Sequence, residues 1–147
     1  MKILYIEDDA ALRRWTSDQL REYGYIVCDF FRIDQVKEYF NEHMEDIDLI
    51  ITDLNMDDHW LGEYINESNG GYFAGWVWLE KFVYTKNPNF PTIIYSAYVD
   101  YLCEQKTNEL KTMENIICVN KGVSDEAGFD KLIKAIKSIS NIKNTDI

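Results

Sequence analysis

Five short apolar runs, separated by stretches of helical spacing, predict an α/β fold built on a doubly wound, five-stranded parallel sheet for this 147-residue chain. The runs are continuous instead of alternating, as strands buried on both faces are. The first, residues 3–6 of KILYIEDD, ends in three acids. Residues 10–23 then bring Leu12, Trp15 and Leu20 near one face of a helix, with Asp9 as its N-cap and Gly24 as its C-cap. Residues 25–28 form the second strand. A second helix over 34–43 presents Val36, Tyr39 and Phe40 on one side, and 47–52 is the strongly apolar third strand. Residues 57–74 break this rhythm, because DDHWLGEYINESNGGYFA is polar, acidic and punctuated by glycine. A third helix follows over 75–84, a fourth strand over 91–95, a mostly polar fourth helix over 99–113 and a fifth strand over 115–119. The last helix, from 124 or 125 to 139, carries Phe129, Leu132, Ile133, Ile136 and Ile139 as its buried stripe, with Lys131, Lys134 and Lys137 opposite. One domain over 1–140, with an insertion at about 57–74 and a polar tail over 141–147, accounts for the chain.

Composition narrows the function. Fifteen basic and 26 acidic side chains give a net charge of −11, which leaves no field to attract a phosphate backbone, so nucleic acid is not an expected partner. No uncharged run is long enough to span a bilayer, and Glu7, Asp8 and Asp9 cut short the apolar opening that a signal peptide needs. Cys28, Cys103 and Cys118 are odd in number and widely spaced, without a CxxC, as free thiols of a reducing cytoplasm are. A soluble cytoplasmic domain, monomeric or weakly dimeric and with no membrane partner, is expected.

Right-handed crossovers at this size favour the flavodoxin-like strand order 2-1-3-4-5, in which ligands bind beyond the carboxyl ends of the strands, where the first and third meet. Strand one ends in Glu7 and Asp8, strand three in Asp53, Leu54 and Asn55, strand four in Ser96, and strand five in Asn120 and Lys121. The fold therefore gathers Glu7, Asp8 and Asp53 beside a hydroxyl and an ammonium. Packed carboxylates raise one another's pKa unless a cation offsets them, and Mg²⁺ (or Mn²⁺) takes one or two carboxylates together with waters and a phosphoryl oxygen. A carboxylate beside such a metal can be a nucleophile toward phosphorus, giving an aspartyl-phosphate. Ser96 can then donate to one phosphoryl oxygen while Lys121 neutralises another.

These segments resemble the receiver domains of two-component response regulators over nearly the whole chain. MKILYIEDDAALRRWTSDQLREYGY resembles the family's opening strand and first helix, and IDLIITDLNM its phosphoacceptor strand. PTIIYSAY resembles the switch strand and IICVNKG the lysine strand. The resemblance implies Asp53 as phosphoacceptor and Glu7 and Asp8 as the metal-binding acids. It also implies that the Asn55 backbone carbonyl completes the metal shell, that Ser96 is the switch hydroxyl and that Lys121 contacts the phosphoryl group. A histidine kinase or phosphotransfer protein would be the donor and a downstream protein the receiver of the signal. The few residues after Ile139 lead to the expectation of a stand-alone domain without an output module.

The chain also departs from the family pattern. Asp57 and a long loop stand where the family has a proline and a short one. Gly122 follows Lys121 where a proline is usual, and Cys118 occupies the place of a reporter aromatic. Trp60, Tyr64, Tyr72 and Phe73 of the insertion are candidate partner contacts, although long ordered loops ordinarily bury their own aromatics. Asp57, Asp58, His59 and Glu63 read as a solvated acidic stretch. Trp76, Val77 and Tyr84 extend the apolar coverage of the third helix beyond one face, which points either to an interface or to a cover by the insertion. Two other functions fit the same fold. One is a receiver-like interaction module that is never phosphorylated. The other is an aspartyl-phosphate phosphatase, against which stands Asn55, two residues after Asp53, where such enzymes place a second acid.

Overall fold

The structure, a computed structural model, describes residues 1–145. Its sheet has five parallel strands in the order β2-β1-β3-β4-β5, with β1 at Lys2–Ile6, β2 at Ile26–Phe30, β3 at Leu49–Thr52, β4 at Thr92–Ser96 and β5 at Ile116–Asn120. Alternate side chains enter two separate cores, as the pleat requires. Leu4, Ile6, Ile50 and Ile94 face one layer, whereas Ile3, Tyr5, Leu49, Ile51, Ile93 and Tyr95 face the other. Helices α1 (Ala10–Glu22) and α6 (Asp125–Thr145) cover the second face through Leu20, Phe129, Leu132, Ile133 and Ile136. Helices α2 (Ile33–His43), α3 (Ala74–Trp78) and α4 (Val99–Gln105) cover the first. Asp9 caps α1 by accepting the Leu12 N–H at 3.1 Å, and Gly24 turns the chain out of α1 at φ +92°.

Three expectations change on inspection of the elements, and the insertion takes a definite form. The segment 57–74 is ordered: 3₁₀ turns run over His59–Ser68, broken at Gly62, where φ is +62°. Ser68, fully buried, holds the segment closed by donating to Asp58 Oδ2 at 2.6 Å and accepting the Gly71 N–H at 3.2 Å. Lys81 reaches Glu67 at 3.1 Å from the following helix. The third helix passes from α3 into a π-turn over Leu79–Val83, where Tyr84 N donates to Leu79 O at 2.8 Å. Trp76, Val77 and Tyr84 are buried there, so they offer no exposed interface.

The polar stretch 99–113 is two short helices, α4 and α5 (Thr107–Lys111), and not one. Thr107 Oγ1 bonds back to the Cys103 carbonyl at 2.5 Å at the break, a contact that competes with a regular helix, and α5 buries no residue. Helix α6 runs on through Thr145 instead of ending at Ile139, because nothing between 140 and 145 is a helix breaker. The last two residues of the expected polar tail lie outside the described residues. Among the described residues no helix is long and apolar enough to cross a membrane.

Candidate functional site

Each strand delivers its terminal side chain to the carboxyl edge of the sheet. The Glu7 N–H donates to Phe30 O at 3.0 Å, extending the β1–β2 ladder by one residue, and Arg13 Nη1 from α1 holds the Glu7 carbonyl at 2.8 Å. The Asp53 N–H donates to Ile6 O at 3.2 Å, so Asp53 sits beside Glu7 across the central strand pair. Oxygen atoms of Glu7, Asp8 and Asp53 all lie within 4.8 Å of one another. Glu7 is 1% exposed and Asp53 7%, while Asp8 is open to solvent.

Lys121 extends from the end of β5 into this group. Its ammonium donates to Glu7 Oε1 at 2.5 Å and to Asp53 Oδ2 at 2.6 Å. Asp53 Oδ1 accepts the N–H of Leu54 at 2.6 Å. Ser96 Oγ, fully buried, accepts the Tyr98 N–H at 3.1 Å, and its own proton can be donated elsewhere. Thus Ser96, the last residue of β4, caps the turn that follows it. Asn55 lies in the loop beyond Asp53, half-buried.

The electrostatics are strained. Burial, then the neighbouring Asp53 charge, pushes the Glu7 carboxyl up from 4.5 to about 8. The same two causes raise Asp8. Burial pulls the Lys121 ammonium down, but Asp53 and Glu7 outweigh it, and its pKa ends above the ordinary 10.5. Glu7 Oε2 is buried without a hydrogen-bond partner. Three carboxylates against one ammonium leave two negative charges when all are ionised. A divalent cation with hard oxygen ligands fits that donor set: it matches the residual charge and supplies a partner for the orphaned oxygen.

Close backbone packing fixes the site, and two glycines make it possible. Gly75 at the start of α3 lies so near the Asp53 carbonyl that a Cβ there would overlap it, and its N–H donates to Leu54 O at 2.9 Å. Gly128 on α6 stands in the same relation to the Lys121 carbonyl. Beneath Asp53, the Trp78 indole N–H donates to Thr52 Oγ1 at 3.1 Å. The spacing of Gly75, Trp78, Leu79 and Phe82 in the sequence marks a core stripe; only the fold shows that Gly75 must lack a side chain because of Asp53.

The departures from the family pattern have local consequences. Among the described residues no peptide bond is cis, and Gly122 makes the turn after Lys121 at φ +74°. The Cys118 thiol is pushed up to about 12 by burial and by the nearby Cys103, and all three cysteines are free. In the insertion, Phe73 is 6% exposed and stacked on Tyr101, so it is not available as a partner contact. Tyr64 packs against Phe82, while Trp60 and Tyr72 remain exposed, the Trp60 ring lying 3.9 Å from the Arg32 guanidinium carbon. Asp57, His59 and Glu63 are exposed and stand outside the acidic cluster.

Solved structures with the same fold include receiver domains. The chain is similar to a response regulator receiver domain protein from Clostridium thermocellum, with a TM-score of 0.73 and 20% identity over 99% of this chain and 98% of that one. It is similar to the N-terminal domain of an uncharacterized protein from Wolinella succinogenes, with a TM-score of 0.71 and 20% identity over 100% and 99% of the two chains. The response regulator protein TrrA from Thermotoga maritima, solved in complex with Mg²⁺-BeF, aligns with a TM-score of 0.63 and 19% identity over 94% of this chain and 97% of that one. No protein-family model matches the sequence, and no curated protein matches it. The fold is that of the response regulator receiver domains.

Proposed function

We propose that the chain is a phosphoacceptor switch in which Asp53 takes a phosphoryl group from a histidine kinase or phosphotransfer protein. The observation that carries this reading is the Lys121 ammonium bridging Glu7 and Asp53 at the carboxyl edge of the sheet, with Ser96 on the strand between β3 and β5. In the transfer, an Asp53 carboxylate oxygen forms a bond to phosphorus as the bond from phosphorus to the donor nitrogen breaks. Lys121 then moves its charge from the carboxylate to a phosphoryl oxygen, and the Ser96 hydroxyl donates to another. Glu7, Asp8 and Asp53, with the Asn55 backbone carbonyl, are the residues that would hold Mg²⁺ or Mn²⁺, which supplies charge neutralisation and orientation of the phosphoryl oxygens.

The chain acts as a switch and not as a turnover enzyme, because Asn55 stands where an aspartyl phosphatase needs its second acid. The covalent group adds about −1.5 to −2 charge, which is enough to reorganise the loops around Ser96. Its signal passes to a downstream protein in the cytoplasm through protein contacts. Incubation with a small phosphodonor and Mg²⁺, followed by intact mass measurement, tests this reading. One added phosphoryl group is expected in the wild type and none in Asp53→Asn or in chelator. Addition that persists in Asp53→Asn refutes the assignment.

A further inference from the structure

We propose that residues 69–75 form a bridge that positions the loop after Asp53 and the loop after Ser96 relative to one another, so that a change at either is felt at the other. This rests on reading Asp53 as the phosphoacceptor. Consecutive residues of the bridge face the two loops in turn. On the Asp53 side, the Met56 N–H donates to Gly71 O at 3.2 Å, and the Gly75 N–H donates to Leu54 O at 2.9 Å. Gly71, at φ +97°, lies close enough to the Met56 carbonyl that a Cβ would stand 2.8 Å from it. Only glycine allows both that φ and that approach.

On the Ser96 side, the next two residues meet the N-cap and first turn of α4 ring to ring. Tyr72 meets Tyr98 edge-on, with centroids 5.1 Å apart, and Phe73 stacks on Tyr101 at 5.1 Å with 22° between the planes. Asn69 Nδ2 donates to the Tyr101 hydroxyl at 3.2 Å. Tyr98 in turn donates its backbone N–H to Ser96 Oγ. A chain of direct contacts therefore runs from Leu54 and Met56 through residues 69–75 to Tyr98 and Ser96.

The helix held by these rings has little other anchorage. Within α4 only Val99 and Leu102 are buried, and α5 has no fully buried residue, Leu110 being half-buried against the core. Elements with so few buried contacts open at low free energy, so the rings have a large share in where α4 rests. Coupling of this kind is reciprocal: loosening the α4 end must loosen the Asp53 end. Cys118, in the place of the family's reporter aromatic, carries no ring that could do the same from β5.

Hydrogen exchange followed by mass spectrometry on the full chain tests the bridge. The samples are wild type, Tyr101→Ala, Tyr98→Ala combined with Tyr101→Ala, and Tyr23→Ala as an exposed tyrosine packed against Phe129 on the other face. In metal-free protein, Tyr101→Ala should speed exchange at residues 54–56 and 69–75 by about two- to tenfold, the factor for losing one aromatic pair, and the double variant, which loses two, by more. Tyr23→Ala should leave those segments at the wild-type rate. With Mg²⁺ and beryllofluoride, wild type should gain protection at 53–56 and at 99–105, and the double variant only at 53–56. Wild-type exchange at 54–56 and 69–75 in both α4 variants would overturn the bridge, as would equal protection of 99–105 in wild type and double variant. If beryllofluoride protects nothing near Asp53, the phosphoacceptor reading fails instead, and the metal-free comparison still decides the bridge.

Discussion

Replacing Glu7 by Gln isolates the electrostatic cost built into the site. Glu7 is buried, one oxygen pairs with Lys121, and the other has no partner. Glutamine keeps the shape and the acceptor for Lys121 but cannot ionise. The folded pKa of Glu7, about 8, lies above its ordinary 4.5, so the folded state holds this proton more tightly than the unfolded chain does. The stability this confers is complete below pH 4.5 and is lost as pH rises through 8. Moving a carboxyl from 4.5 to about 8 sets a ceiling of about 5 kcal/mol on that loss. For a chain of this length each kcal/mol is worth about 2–4 °C in Tm, so the ceiling is about 10–20 °C. Thermal melts of both proteins in chelator, from pH 5 to pH 9, read the effect. The two should differ least near pH 5, and the Gln variant should melt progressively higher relative to wild type toward pH 9, since groups remote from the site cancel in the difference. Mg²⁺ should stabilise wild type more than the variant at pH 8. Its affinity for wild type should rise about tenfold per pH unit below 8, because the metal displaces the Glu7 proton. Parallel melting of the two metal-free proteins across the whole range would refute the reasoning.

Three further outcomes follow from packing and burial. Gly75→Ala drives a methyl group into the Asp53 carbonyl and should cost about 1–3 kcal/mol in urea unfolding, with a matching fall in Mg²⁺ affinity because the Asp53 loop must shift. Unchanged stability and affinity would show that the contact is not tight. Ser68→Ala leaves Asp58 and the Gly71 N–H without their buried partner and should cost about 1–3 kcal/mol, with faster exchange confined at first to the insertion. A thiol reagent at neutral pH should label exposed Cys103 quickly and leave Cys118 unlabelled until the protein unfolds, because burial holds the Cys118 thiol near 12. Labelling of both at equal rates would contradict that environment.

The sheet was legible because each strand is a continuous apolar run and each run ends in the residues that meet at the carboxyl edge. Glu7, Asp53, Ser96 and Lys121 stand far apart in sequence, yet parallel topology alone brings their strand ends together. The remainder depends on contacts between distant segments. Phe73 looks like any loop aromatic until Tyr101 is placed against it, and Trp76 looks exposed until the fold buries it. The break at Lys106 is equally hidden, since Thr107 is an ordinary helix residue unless its hydroxyl turns back to the Cys103 carbonyl. Gly75 reads as a weak helix residue, and only the Asp53 carbonyl beside it shows what a larger residue would do.

The central claim is that Asp53 carries the phosphoryl group, and borohydride reduction tests it at the level of the bond. An acyl phosphate is reduced to an alcohol, so phosphorylated aspartate becomes homoserine, and peptide mass spectrometry locates the change. After treatment with a phosphodonor and Mg²⁺, homoserine is expected at position 53 alone, and nowhere in chelator or in Asp53→Asn. Homoserine at Asp8 or Asp57, or its absence from a protein that has demonstrably gained a phosphoryl group, would contradict the account.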